Sequence, residues 1–113
     1  MFSGKEESLN RVICQILERK GPLIVYDVLL QVRGTKGFRN TDSGIVYRRM
    51  QALEKQGWIT QKGTRPTRPG WPSELYLLTL RGKAALRLDE KSIEDFLRTA
   101  TDEQLLKFID SFG

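Results

Sequence analysis

Arg48 and Gln51 lie three residues apart in the stretch SGIVYRRMQALEKQGWI, residues 43–59, a spacing that puts them on one face if the stretch is helical. A guanidinium offers a fork of donors that matches guanine O6 and N7, and a carboxamide can match adenine N6 and N7. Lys55 adds a further cation to that face. The hydroxyls of Ser43 and Tyr47 suit phosphate oxygens, as do N–H groups left free at a helix start. Gly44 would let a backbone come close, and Ile45 flanks the same face. A second set of cations, Lys62, Arg65 and Arg68, is spread over and beside the proline-rich segment GTRPTRPGWPS. Prolines stiffen such a segment, so less entropy is lost when its cations settle on phosphates. Any one of these residues would serve equally well on a plain solvated surface; the combination is what points to a nucleic acid.

Other chemistries lack their residues. The chain has no histidine, which removes the commonest general base and the commonest metal ligand. It has no GxxxxGK[ST] motif, no cluster of metal ligands, and no serine or cysteine beside a plausible base. Glu18 and Asp27 read as surface helix acids. No catalytic residue, metal or cofactor is expected, and no small-molecule effector is indicated. The single cysteine, Cys14, cannot form an internal disulfide and reads as an inert helix residue. No apolar run approaches a membrane span, and the start, MFSGKEE, lacks the pattern of a signal peptide. A cytoplasmic, nucleoid-associated protein is the expectation.

Charge is unevenly placed along the 113 residues, whose net charge is +5. Residues 1–40 carry seven basic and four acidic side chains, residues 41–88 nine and three, and residues 89–113 three and seven. A cationic middle with an anionic tail favours a polyanion partner for the middle and another role for the tail.

The elements that must position these groups follow from periodicity. Ser8 is a plausible N-cap for a first helix to about Lys20, with Leu9, Val12, Ile13, Ile16 and Leu17 on one face and Cys14 off it. PLIVYDVLLQVRG reads as a second helix ending near Gly34, with a strand-like β-branched start. Thr41 or Asp42 can cap a third helix that ends at Gly57. WITQKG and ELYLLT alternate as short strands. The proline-rich segment between them is expected to be neither helix nor regular ladder but an extended tip. Thr79 caps a fourth helix to about Leu88. In the tail, Thr101 and Gln104 stand at capping-box spacing, and Leu105, Phe108, Ile109 and Phe112 form a helical stripe.

Three helices followed by a two-stranded hairpin make a mainly α chain of winged helix-turn-helix plan, whose third helix enters the major groove while the hairpin reaches a neighbouring groove or backbone. On a wheel, Val46, Met50 and Leu53 of the third helix face the core. Gly44, Arg48, Gln51 and Lys55 face away, and Arg49 lies near the apolar stripe with its head free to reach solvent. Trp58, Tyr76 and Leu78 belong to the core or its rim, and Trp71 to the hairpin base. The division expected is a DNA-binding domain over residues 1–88 and a helical dimerisation tail over 89–113, whose Phe96, Leu97, Leu105, Phe108, Ile109 and Phe112 need an apolar cover. The alternatives are an RNA-binding or a protein-interaction module. GTKG, Gly34 to Gly37, fits the GxxG loop of KH domains, although the strand expected ahead of a KH helix pair is missing.

Residues 43–86 resemble the PadR-like family of winged-helix transcriptional regulators. The likeness lies in Gly44 with Tyr47 three positions on, the turn Leu53-Glu54-Lys55-Gln56-Gly57-Trp58-Ile59, the Pro/Gly-rich hairpin, and the junction Tyr76-Leu77-Leu78-Thr79-Leu80-Arg81-Gly82. Arg49 stands where the family usually has an apolar residue, and Ile45 where a small polar one is common. The short tail is similar to that of the subgroup with a small C-terminal dimerisation module. The resemblance implies a homodimer bound to a palindromic operator on double-stranded DNA, acting mostly as a repressor, with a circadian clock gene among the targets it suggests.

Overall fold

The structure is a computed structural model that describes residues 4–67, 71–90 and 97–112. Among the described residues five helices and a hairpin follow in the order α1 (Gly4–Lys20), α2 (Val25–Arg33), α3 (Ser43–Lys55), β1 (Ile59–Thr67), β2 (Trp71–Leu78), α4 (Leu80–Glu90) and α5 (Asp102–Phe112), and residues 97–99 are also helical. The winged helix-turn-helix plan with a helical tail is what the chain adopts.

The core forms around α1, which packs against α2, α3, α4 and β2. Leu9, Val12, Ile13, Ile16 and Leu17 are buried as their spacing requires. Two expectations for this helix need correction. It starts at Gly4 rather than after a Ser8 cap, and Ser8 is half-buried inside it. Cys14 is fully buried and belongs to the core. The reason is that α1 is covered on a second flank. Arg11 and Glu18, on the Cys14 side of the helix, pair with Asp89 (3.2 Å) and Arg87 (2.8 Å) of α4. Burial pushes the Cys14 thiol up to about 12, which leaves it protonated and inert.

The β-branched start of the second helical segment is strand in part. Leu23 and Tyr76 exchange backbone hydrogen bonds of 3.0 and 2.8 Å, a one-residue third strand beside β2. Ile24 then caps α2 with extended backbone. The α2–α3 turn is tied down by Arg33 Nε donating to the Thr41 carbonyl at 3.0 Å and by half-buried Phe38 packed on the core. With α1 standing ahead of this helix pair, the GTKG segment is a connector rather than a KH loop. Its last glycine, Gly37, turns at φ +90.

The hairpin is longer and more regular than its prolines suggest. The ladder runs from Ile59↔Leu78 to Pro66↔Pro72 and Thr67↔Trp71. In an antiparallel pair, opposed residues either exchange both hydrogen bonds or neither. Pro66 and Pro72 stand opposite each other at a pair that exchanges neither, so their missing N–H groups cost nothing. One extra residue on β1 is absorbed at Lys62 and Gly63, between the pairs Gln61↔Tyr76 and Thr64↔Glu74, and Gly63 takes φ +85. This is a bulge of the kind in which glycine supplies the left-handed residue.

Candidate nucleic-acid interface

Helix α3 has the two faces its pattern implies. Val46, Met50 and Leu53 are fully buried, which anchors one side; removing a side chain such as Leu53 would cost roughly 2–5 kcal/mol. Ser43, Gly44, Arg48, Gln51 and Lys55 are exposed on the other. Ile45 and Tyr47 flank them, 39% and 53% exposed, and Arg49 is half-buried. A basic, amide-bearing surface about three helical turns long is thus held in place by an apolar wedge.

The start of α3 is capped, as its sequence implies. Of the two candidate caps, Asp42 is the one used, its Oδ2 accepting the Gly44 N–H at 2.9 Å. A Cβ added to Gly44 would lie 2.9 Å from that same oxygen. The glycine therefore makes room for the cap as well as for any approaching backbone. A carboxylate, not an incoming phosphate, occupies this donor in the free chain.

The far end of α3 is joined to the strands and α4 through one hydroxyl. Gly57 turns the chain at φ +81, and the Trp58 N–H bonds the Leu53 carbonyl at 3.0 Å. Thr79 Oγ1 lies 2.7 Å from the Gly57 carbonyl oxygen and 2.9 Å from that of Trp58, and it accepts the Gly82 N–H at 3.1 Å as the cap of α4. A Cβ on Gly82 would run into the Trp58 carbonyl and the Leu78 side chain. The two most distinctive sequence segments, Leu53–Ile59 and Tyr76–Gly82, thus meet in a single joint that fixes the hairpin against α3.

The wing cations are placed less evenly. Lys62 is exposed at the bulge. Arg65 is half-exposed, and its Nη1 donates to Asp27 Oδ2 on α2 at 2.8 Å. Arg68 lies outside the described residues. Asp27 was expected to be a plain surface acid; no local pattern could reveal a pair 38 residues apart. Between α2, α3 and β2 lies a shallow cleft of about 240 Å³ lined by Val25, Tyr47, Ser73, Glu74 and Tyr76. The buried Tyr76 hydroxyl donates to Glu74 Oε2 at 3.1 Å and accepts from Gln61 Nε2 at 3.3 Å. Burial first, then the neighbouring Glu74 carboxylate, pushes this phenol up to about 12.

The tail stands apart from this surface. Thr101 and Gln104 form the reciprocal capping box, at 2.9 and 3.2 Å. Leu97, Leu106, Phe108 and Ile109 are 40–63% exposed and Leu105 is half-buried, while α5 has no extensive packing against any other described element. Phe96 and the side chains of Trp71 and Phe112 lie outside the described residues. Among the described residues no helix is long and apolar enough to cross a membrane, and no group of acidic and cysteine side chains is arranged to hold a metal ion.

Residues 13–88 match the family model of the transcriptional regulator PadR-like family. Solved structures agree over nearly the whole chain. A PadR family transcription regulator from Clostridium difficile R20291 is 22% identical with a TM-score of 0.62, covering 92% of this chain and 96% of that one. A PadR-like transcription factor from Bacteroides fragilis is 18% identical with a TM-score of 0.63, over 96% and 92%. At these identities the two show the shared fold. Bacillus subtilis PadR, solved in complex with operator DNA, is 29% identical with a TM-score of 0.64; the match covers 91% of this chain but 59% of that one. Comparison with curated proteins finds no match.

Proposed function

This chain belongs to the PadR-like family of transcriptional regulators, and from that premise we propose that it is a homodimeric repressor gripping a palindromic operator in duplex DNA. The family is one of regulators that act on DNA, not of enzymes. The observation that carries the residue-level reading is the outward face of α3, where Ser43, Gly44, Ile45, Tyr47, Arg48, Gln51 and Lys55 are all exposed. In this reading Arg48 and Gln51 meet base edges in the major groove. Ser43 and Tyr47 meet phosphates, and Lys62, Arg65 and Arg68 bring the wing to the flanking backbone. The bound state of Bacillus subtilis PadR, a relative of the same fold, supports DNA as the partner.

Residues 1–88 are proposed as the DNA-binding domain and 89–113 as the dimerisation tail. Exposed Leu106 and Ile109 on α5, and Leu97 ahead of it, support that assignment, because apolar side chains open to water gain by pairing. Two protomers would set two recognition helices about one helical turn of DNA apart, ~34–36 Å. A cytoplasmic, nucleoid-associated location goes with a DNA partner.

Selection of binding sites from random duplexes, with a circadian clock-gene promoter included as one candidate operator, tests class and target together. Single-stranded DNA, RNA and several salt concentrations serve as the other arms. Log affinity for duplex should fall linearly with log salt, by about 0.9 per neutralised phosphate. Arg48→Ala should lose about 1–3 kcal/mol of operator discrimination. Equal losses on operator and random duplex would make Arg48 a phosphate contact. Preference for RNA, or duplex binding indifferent to charge reversal on α3, would overturn the reading.

A further inference from the structure

The wing is joined at two heights to the segment that leads into and begins α2. At its base, Leu23 and Tyr76 are joined by a pair of backbone hydrogen bonds. Farther out, Arg65 reaches Asp27 in the first turn of α2, with 50% of the Arg65 side chain and 25% of the Asp27 side chain exposed. The bulge at Lys62 and Gly63 lies between the two anchors. The base of the wing is therefore fixed through its backbone, while its outer part, across a bulge, is held to α2 by a pair of charges.

We propose that Asp27 is an internal stand-in for a DNA phosphate. In the free chain its carboxylate holds Arg65 against α2; on duplex DNA a phosphate oxygen takes that place, and the strength of the Asp27 contact sets how readily the wing engages any duplex. Carboxylate and phosphate are the two anions that a guanidinium fork fits, so one can replace the other without a change of donor geometry. An ion pair at this exposure resists opening by only about two- to fivefold, so it can order Arg65 yet yield. Phosphate contact brings counterion release as well, which the internal pair lacks. The effect is greatest on random duplex, where little besides phosphate contact favours binding.

The proposal rests on the duplex-binding reading above, and a four-protein cycle separates the two. Wild type, Asp27→Asn, Arg65→Gln and the double variant are titrated with a random-sequence duplex across a salt series. Asp27→Asn keeps the size of the side chain and one acceptor oxygen and removes its charge; Asp27→Ala is the second variant, and thermal melts confirm that each protein is folded. Asp27→Asn should tighten binding about two- to fivefold. Arg65→Gln should weaken it and flatten the salt slope by roughly one unit. In the Arg65→Gln background, Asp27→Asn should change nothing. The same gain in both backgrounds would show Asp27 repelling DNA merely as a nearby charge, and no gain in either would show no competition; each overturns the proposal and leaves duplex binding intact. Binding of no duplex by any of the four would overturn both.

Discussion

Removing one hydroxyl should loosen the joint between α3, the hairpin and α4. In Thr79→Val the side-chain shape is kept and Oγ1 is lost. Three contacts go with it: the 2.7 Å approach to the Gly57 carbonyl, the 2.9 Å approach to the Trp58 carbonyl, and the 3.1 Å bond from the Gly82 N–H. The Trp58 oxygen keeps a partner, because the Thr79 N–H still donates to it at 3.0 Å. Two groups are then left without a partner, the Gly57 carbonyl and the Gly82 N–H. A lost cap costs about 1 kcal/mol, and a lost backbone acceptor bond about the same. The expected loss is therefore about 2 kcal/mol. For a chain of this size that is a fall in Tm on the order of 8 °C. Urea unfolding at fixed protomer concentration measures it as a shift in midpoint at constant slope, and fixed concentration matters because dimerisation would add to apparent stability. Thr79→Ser, which retains the oxygen, should recover most of the loss. A Thr79→Val protein within about 0.5 kcal/mol of wild type would show that the hydroxyl does not hold this joint, and the account of the distinctive segments as one structural unit would fail.

Other perturbations follow from the same geometry. Gly82→Ala should cost about 1–3 kcal/mol in the same unfolding assay, since the added methyl meets backbone at the Trp58 carbonyl. Asp42→Ala should destabilise by about 1 kcal/mol through loss of the α3 cap while tightening random-duplex binding, so melting and titration should move in opposite directions. Tyr76 keeps its proton more tightly in the fold than in the unfolded chain, so its contribution is complete below pH 10 and drains away as pH rises to about 12. The stability advantage of wild type over Tyr76→Phe should shrink across that window. Ending the chain near Leu88 should give a monomer by sedimentation; a truncated dimer would move the proposed interface elsewhere.

Periodicity and cap chemistry made much of this legible in the sequence. The inward edge of α3 at Val46, Met50 and Leu53, the Thr79 and Thr101–Gln104 caps and the position of the hairpin all depend on neighbours within one or two turns. What local patterns could not carry depends on distant chain. Cys14 is buried because α4, seventy residues later in the chain, covers the flank that its own helix pattern marks as polar. The ladder extends through Pro66 and Pro72 because the two happen to be opposed, a matter of register rather than composition. Leu23 becomes a strand stub only because Tyr76 arrives beside it. The pairing of Asp27 with Arg65 is of the same kind, and it changes how a wing cation is understood. The proposed sites of DNA contact follow from residue type and helix face, and Ser43, Gly44, Arg48, Gln51 and Lys55 are exposed on α3; their individual roles rest on the titrations above.

The Lys62–Gly63 bulge and the opposed prolines have a bearing on solubility. A two-stranded ribbon offers bare edges on which a foreign strand could add, the first step toward fibrous self-assembly. Here Leu23 covers part of the β2 rim, the bulge bends β1 out of line, and Pro66 and Pro72 withhold the donors that an added strand would need. The rims of the hairpin are thereby kept from serving as a template for aggregation.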